Sequence, residues 1–76
     1  MPPKKSPSVQ AFGRAVREVR VERLYGQEGF AAHAGIDRSY YGAIERGEFN
    51  VSLNTMVKLA EGLETTVSAL LERAKL

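Results

Sequence analysis

Val9, Phe12, Val16 and Val19 recur at spacings of three and four, which lays them on one helical stripe, while Arg14, Arg17 and Val21 fall on the opposite side. Ser8 is a plausible N-cap, so a first helix is expected over about residues 9–24. Gly26 interrupts it. Gln27 to Ala34 then reads as a short helix with Phe30, Ala31 and Ala34 inward and Gly35 as its stop. Asp37 is a good N-cap for a third helix, Arg38 to Arg46, which Gly47 ends. After a loop over residues 47–52, Ser52 caps a fourth helix in which Leu53, Met56, Val57, Ala60 and Leu63 keep the same spacing. Thr65 or Thr66 opens a fifth, with Val67, Leu70 and Leu71 as its apolar positions. No segment alternates with period two long enough to propose a strand, and no internal repeat is visible. The pattern predicts an all-α domain of five short helices joined by tight turns.

Residues 27–46 carry a more specific pattern. With Gln27 as the first position, Phe30 is the fourth, Ala31 the fifth, Ala34 the eighth, Gly35 the ninth, Ile36 the tenth, Tyr41 the fifteenth and Ile44 the eighteenth. Two helices crossing steeply through a tight turn need a small residue where their backbones approach, which Ala31 supplies. They also need a turn residue that accepts positive φ, which Gly35 supplies, and apolar anchors on both inner faces. Together these positions make a helix-turn-helix pattern.

At about 100° per residue, Arg38, Ser39, Gly42, Ala43 and Arg46 share one face of the third helix. Tyr41, Ile44 and Glu45 lie on the side that must meet the core, with Tyr40 at the boundary. The outward face offers two arginines, a hydroxyl and two residues with almost no side chain. Such a helix suits the major groove of DNA, where small residues let the backbone approach base edges. Arg38 can then donate two hydrogen bonds to guanine, with Ser39 beside it, and Ala43 can rest on a thymine methyl. Arg46 and Gln27, the latter at the first turn of the second helix, are expected on phosphates. Tyr40 can bond a phosphate or flank a base, and Asn50 in the following loop completes the DNA-binding set.

Glu45 points inward among apolar residues and requires a partner, because an unpaired buried carboxylate costs several kcal/mol. Arg20, at the edge of the apolar stripe of the first helix, is the expected partner, and the pair is expected to be structural.

Composition narrows the function classes. Seventy-six residues without a cysteine exclude a disulfide scaffold, a thiolate zinc site and a cysteine nucleophile. His33 is the only histidine, so a histidine metal cluster is excluded too, and no metal or cofactor is expected. His33 reads as a solvated surface residue, and the carboxylates are scattered at spacings that suit a solvated surface, so an enzyme is not expected. No apolar run approaches the roughly 18 residues a membrane span needs, and the Met1 to Pro7 segment lacks the apolar block of a secretory signal. A cytoplasmic protein is the expectation. Residues 1–25 hold six basic and two acidic residues, a balance of +4, whereas residues 26–76 hold five and seven, a balance of −2. That asymmetry predicts a basic DNA-facing side and an acidic remainder. Residues 1–8, with three prolines and two lysines, are expected to form a flexible basic arm ahead of a domain over residues 9–76.

Gln27-Glu28, Ala31, Gly35-Ile36, Ser39-Tyr40-Tyr41, Ile44-Glu45-Arg46-Gly47 and Ser52-Leu53 resemble the phage repressor and Cro type (XRE family) of helix-turn-helix protein, over about residues 9–73. The resemblance implies a five-helix lambda-repressor-like fold with its helix-turn-helix at residues 27–46. It also implies Gln27 on a phosphate, Arg38, Ser39 and Ala43 on bases, Arg46 on the backbone, and Arg20 with Glu45 as the family's buried pair. Within that family, Asp37-Arg38-Ser39-Tyr40 with Glu45-Arg46-Gly47 looks most like the controller proteins of restriction-modification systems. Gly26 replaces the usual Ser or Thr N-cap, Leu24 replaces the usual glycine after the first helix, Gly29 and Gly42 sit inside helices, and Tyr41 stands where Ile or Val is usual.

The expected function is a sequence-specific transcriptional regulator that binds double-stranded DNA as a homodimer on a pseudo-palindromic operator. It would autoregulate a restriction-modification system. A phage or plasmid repressor is the alternative, as is an antitoxin that binds a toxin through its C-terminal helix. Val67, Leu70 and Leu71 are the expected dimer interface, and RNA polymerase is a further candidate partner. With nearly all the chain consumed by the DNA-reading domain, control is expected to come from protein concentration through dimerisation.

Overall fold

Pro7 begins the first helix two residues ahead of its sequence expectation. Proline is tolerated at the first helical position because no N–H is needed there and its φ is already helical. The computed structural model describes residues 6–76, and in it Ser6, not Ser8, is the N-cap, accepting from the Val9 N–H at 3.2 Å. Of the expected arm, residues 6–8 form the cap and first turn of α1, and residues 1–5 lie outside the described residues. The five helices are α1 (Pro7–Glu22), α2 (Gln27–Ala34), α3 (Arg38–Glu45), α4 (Leu53–Gly62) and α5 (Val67–Arg73), with no strand among the described residues. Asp37, Ser52 and Thr66 cap α3, α4 and α5 with side-chain oxygens, whereas Gly26 gives α2 no side-chain cap.

All five helices stop the same way. Within two residues of each helix end the chain takes a left-handed conformation: Leu24, Gly35, Gly47, Glu64 and Lys75 have φ between 58° and 72°. Each is followed by a pair of closing hydrogen bonds, as in Gly35 N–H to Ala32 O at 3.2 Å and Ile36 N–H to Ala31 O at 2.9 Å. This is the Schellman motif, which satisfies the last carbonyls and turns the chain sharply. Leu24 keeps the corner after α1 in the usual left-handed shape despite lacking glycine's freedom, at a cost of about 1 kcal/mol. Its side chain is 92 % exposed.

The core gathers Phe12, Val16 and Val19 from α1, Phe30 and Ala31 from α2, Tyr41 and Ile44 from α3, Leu59 and Leu63 from the α4 region, and Leu70 from α5. α1 and α3 meet where Gly13 lies beneath the end of α3: an added Cβ would stand 2.4 Å from Ile44 O and 2.7 Å from Glu45 O. No side chain fits there. The periodicity of α1 did not mark this position, because the restriction comes from the backbone of another helix. Two apolar positions expected inside α4 are outside: Leu53 is 65 % and Val57 41 % exposed. They lie one turn apart, so the stripe read from sequence is wider than the face that α4 buries. At the other end of the molecule Arg73 on α5 forks onto Glu22 of α1 at 2.7 and 3.0 Å.

Candidate nucleic-acid interface

α3 is positioned at its N-terminal end by the local sequence. Asp37 accepts from the Tyr40 N–H at 3.0 Å, while the left-handed Gly35 sets the direction in which the chain leaves α2. Inward, Tyr41 and Ile44 are fully enclosed. Outward, Arg38, Ser39, Gly42, Arg46 and, from α2, Gln27 line an open cleft of about 220 Å3.

The structure brings Gln27, Arg38, Ser39, Gly42 and Arg46 to one cleft, whereas Tyr40, Ala43 and Asn50 do not line it. Tyr40 is half-buried, its ring 5.8 Å from that of Phe49. Asn50 borders a different, apolar groove with Val9, Phe12, Val51, Met56, Leu71 and Leu76. Ala43 is only 4 % exposed, and Gly42 is buried as well, which corrects their expected outward exposure. A wheel gives the direction in which a side chain leaves the helix and ignores its height: a methyl or a hydrogen is shaded by longer neighbours. Over Gly42 those neighbours are Arg46 and Gln27, whose Nη1 and Oε1 lie 3.1 and 3.5 Å from where a Cβ would stand.

Beneath the cleft lies the expected buried pair, with more members than the sequence indicated. Arg20 donates through Nε to Glu45 Oε2 at 2.6 Å and through Nη2 to Oε1 at 3.1 Å. Its Nη1 reaches the Tyr25 carbonyl at 2.8 Å. Glu45 also accepts from the Tyr41 hydroxyl and from Gln27 Nε2 at 3.0 Å. Tyr41, unusual at its position, thus finds the partner its buried hydroxyl requires. Among the described residues no buried side-chain polar atom lacks a partner. Burial opposes ionisation of Glu45, but the hydrogen bonds from Arg20, Tyr41 and Gln27 outweigh it and hold the carboxyl below its ordinary range. Burial, followed by the bond to Glu45, pushes the Tyr41 hydroxyl upward. The link from Gln27 to Glu45 was not legible in sequence, since it depends on how α2 is rotated against α3.

Both outward arginines stand beside carboxylates. Arg46 forks onto Glu48 through Nε at 2.8 Å and Nη2 at 3.3 Å. Arg38 Nε is 3.6 Å from Glu28, both being largely exposed. Residues two apart do not face one another on a helix. Only the left-handed turn at Gly47, with φ 72°, carries Glu48 back alongside Arg46. Among the described residues, the basic N-terminal third does not line the cleft. Arg20 is buried, and Arg23 bonds the Leu63 and Glu64 carbonyls at the end of α4 at 2.9 and 3.3 Å, where a cation suits the helix dipole. The two cationic side chains of the cleft come instead from the acidic part of the chain. His33 is exposed and stacks on Tyr25 at 5.1 Å.

Two short helices joined through a left-handed glycine, the second presenting arginine and serine outward, define a helix-turn-helix DNA-binding protein. The chain belongs to the helix-turn-helix family, whose model matches residues 16–70, and is a DNA-binding regulator of the XRE type rather than an enzyme. It is 43 % identical over 60 residues to the control protein C.MunI of a Mycoplasma species, covering 78 % of this chain and 81 % of that one. It is likewise 43 % identical over 58 residues to the control protein C.SmaI of Serratia marcescens, covering 76 % and 69 %. The crystal structure of the restriction-modification controller protein C.AhdI from Aeromonas hydrophila superposes with a TM-score of 0.82. That pair is 40 % identical, with 86 % of this chain and 98 % of that one covered.

Proposed function

We propose that this regulator controls the genes of a restriction-modification system, its own included, by binding a pseudo-palindromic operator as a homodimer in the cytoplasm. The observation that carries the reading is the exposed cleft on α3, where Arg38, Ser39 and Arg46 converge beside Gln27. Arg38, at the start of the helix, has the reach and the planar fork to hold guanine O6 and N7, and Ser39 beside it can donate or accept. Gln27, braced by Glu45, stands at the first turn of α2, where free N–H groups favour a phosphate. Tyr40 follows Ser39 on α3 and is available to a phosphate or a base, whereas Asn50 borders the apolar groove and Ala43 is enclosed, so both leave the contact set.

Part of the expected dimer surface is already covered within the monomer. Leu70 is 1 % exposed and belongs to the core, and Val67 and Leu71 are half-buried against it. Exposed apolar side chains are found at Phe49, Leu53, Val57 and Leu76, and also at Val21 and Leu24, each at least 41 % exposed. Such area in a chain this small favours self-association. Two-fold symmetry would set the half-sites about one helical turn, 34 to 36 Å, apart. A footprint on the DNA flanking its gene should show a palindrome next to a restriction enzyme gene, and an unprotected flank would refute the assignment. Sedimentation should show a dimer at tens of micromolar; a monomer there removes the dimer.

A further inference from the structure

Arg46 is not presented as a free cation. Glu48 occupies the side of its guanidinium formed by Nε and Nη2. A guanidinium has five N–H donors in a fixed plane, so the opposite edge, Nη1 with the outer N–H of Nη2, remains open. That edge is aimed: Nη1 lies over the middle of α3, 3.1 Å from where a Gly42 Cβ would stand, inside the cleft shared with Gln27, Arg38 and Ser39. Glycine at position 42 leaves the space into which the arginine folds back along its own helix.

A phosphate clamp and a base reader make opposite demands on such a group. Phosphate binding draws on net positive charge and counterion release, both of which a carboxylate at 2.8 Å diminishes. Reading guanine demands two donors held in a fixed plane and direction, which the same carboxylate provides. We infer that Glu48 is a positioning residue that aims Arg46 at a guanine in the major groove, so that Arg46 reads sequence instead of gripping the DNA backbone as its place at the end of the helix suggested. This rests on the proposed DNA-reading function and deepens it.

The test uses the full chain and a pool of random-sequence duplexes. The enriched site is remade with each guanine in turn replaced by 7-deazaguanine, which lacks the N7 acceptor. Wild type should show, besides the guanine read by Arg38, a second guanine whose replacement weakens binding on the order of tenfold. Arg46→Ala should abolish that second penalty and keep the first. Glu48→Ala should shrink the second penalty, keep the first, leave thermal unfolding unchanged and bind unselected duplex more tightly, because a charge that repels phosphates is gone. Glu48→Gln, which keeps one acceptor for the guanidinium, should retain more of the second penalty than Glu48→Ala while binding unselected duplex equally tightly. A second penalty undiminished in Glu48→Ala overturns the inference, as does an Arg46→Ala loss shared equally by selected and unselected duplexes. If wild type enriches no sequence at all, the DNA-reading function fails and the inference with it; enrichment without an Arg46-dependent guanine defeats the inference alone.

Discussion

The two faces of α3 hold the same chemical pair in opposite surroundings. Inward, Glu45 meets Arg20 with side-chain exposures of 3 % and 9 %. Outward, Arg38 stands near Glu28 with exposures of 68 % and 80 %. Where water is excluded the attraction between the charges is strong and neither can be left alone, so the inner pair fixes how α1, α2 and α3 sit together. Where water competes, the attraction is worth about 1 kcal/mol or less, so the outer arginine can exchange its carboxylate for a base or phosphate at small cost. One helix thus carries its anchor and its reading surface a few residues apart, separated by solvent access and not by residue type.

The largest test of that contrast is Glu45→Ala. It should destabilise the fold by about 3–5 kcal/mol in urea unfolding, since it strands the Arg20 guanidinium and the Tyr41 hydroxyl. A cost under about 1 kcal/mol would place Glu45 with the surface pairs and erase the distinction. Acid should reproduce part of this loss in the native sequence. Glu45 is held below its ordinary value of 4.5, so the unfolded chain takes up the proton first. The stabilisation is complete above that value and disappears as pH falls through the lower folded value. Urea midpoints measured down this range should fall more steeply for wild type than for Glu45→Gln, and parallel curves would show that another group governs the acid limb.

On the outer face the sign of the separation reverses. Arg38→Ala should leave unfolding within about 0.5 kcal/mol of wild type while weakening binding to the selected site by about 1–3 kcal/mol and relaxing preference at one base pair. Unchanged binding would mean that α3 lies in the groove in another register. The smallest effect is expected at Gly29, where an added Cβ has no neighbour within 4 Å. Gly29→Ala should raise stability by about 0.5–1 kcal/mol through helix propensity alone, with DNA binding intact. A loss of stability there would show that α2 needs glycine for a reason its surroundings do not reveal.

Periodicity and capping were sufficient to place α2 through α5, because a helix start depends on one side-chain oxygen and its stop on one left-handed residue, both local. The same locality explains the miss at α1. Ser6 and Ser8 are both competent caps, and only the fit of Pro7 at the first helical position chose between them. The Arg20 to Glu45 pair was legible because a carboxylate on an apolar face demands a partner and few cations lay within reach. Gln27, a further donor, was not legible, since a hydrogen bond between helices depends on how far each helix is rotated and not on spacing along either, whereas Tyr41 sits one turn before Glu45 on α3 itself, a spacing that puts the two side chains side by side.

What the sequence determined by itself was where α3 lies and that Tyr41 and Ile44 turn inward on it, for these follow from 3.6 residues per turn and from the cost of exposing both side chains. What only the tertiary structure decided was height and company. It put Ala43 under cover, drew Leu70 into the core, left Leu53 and Val57 exposed, and returned Glu48 to Arg46 around Gly47. Each of these depends on the distance between groups that the chain brings together only after it turns, and a one-dimensional pattern records direction from an axis but not separation across space.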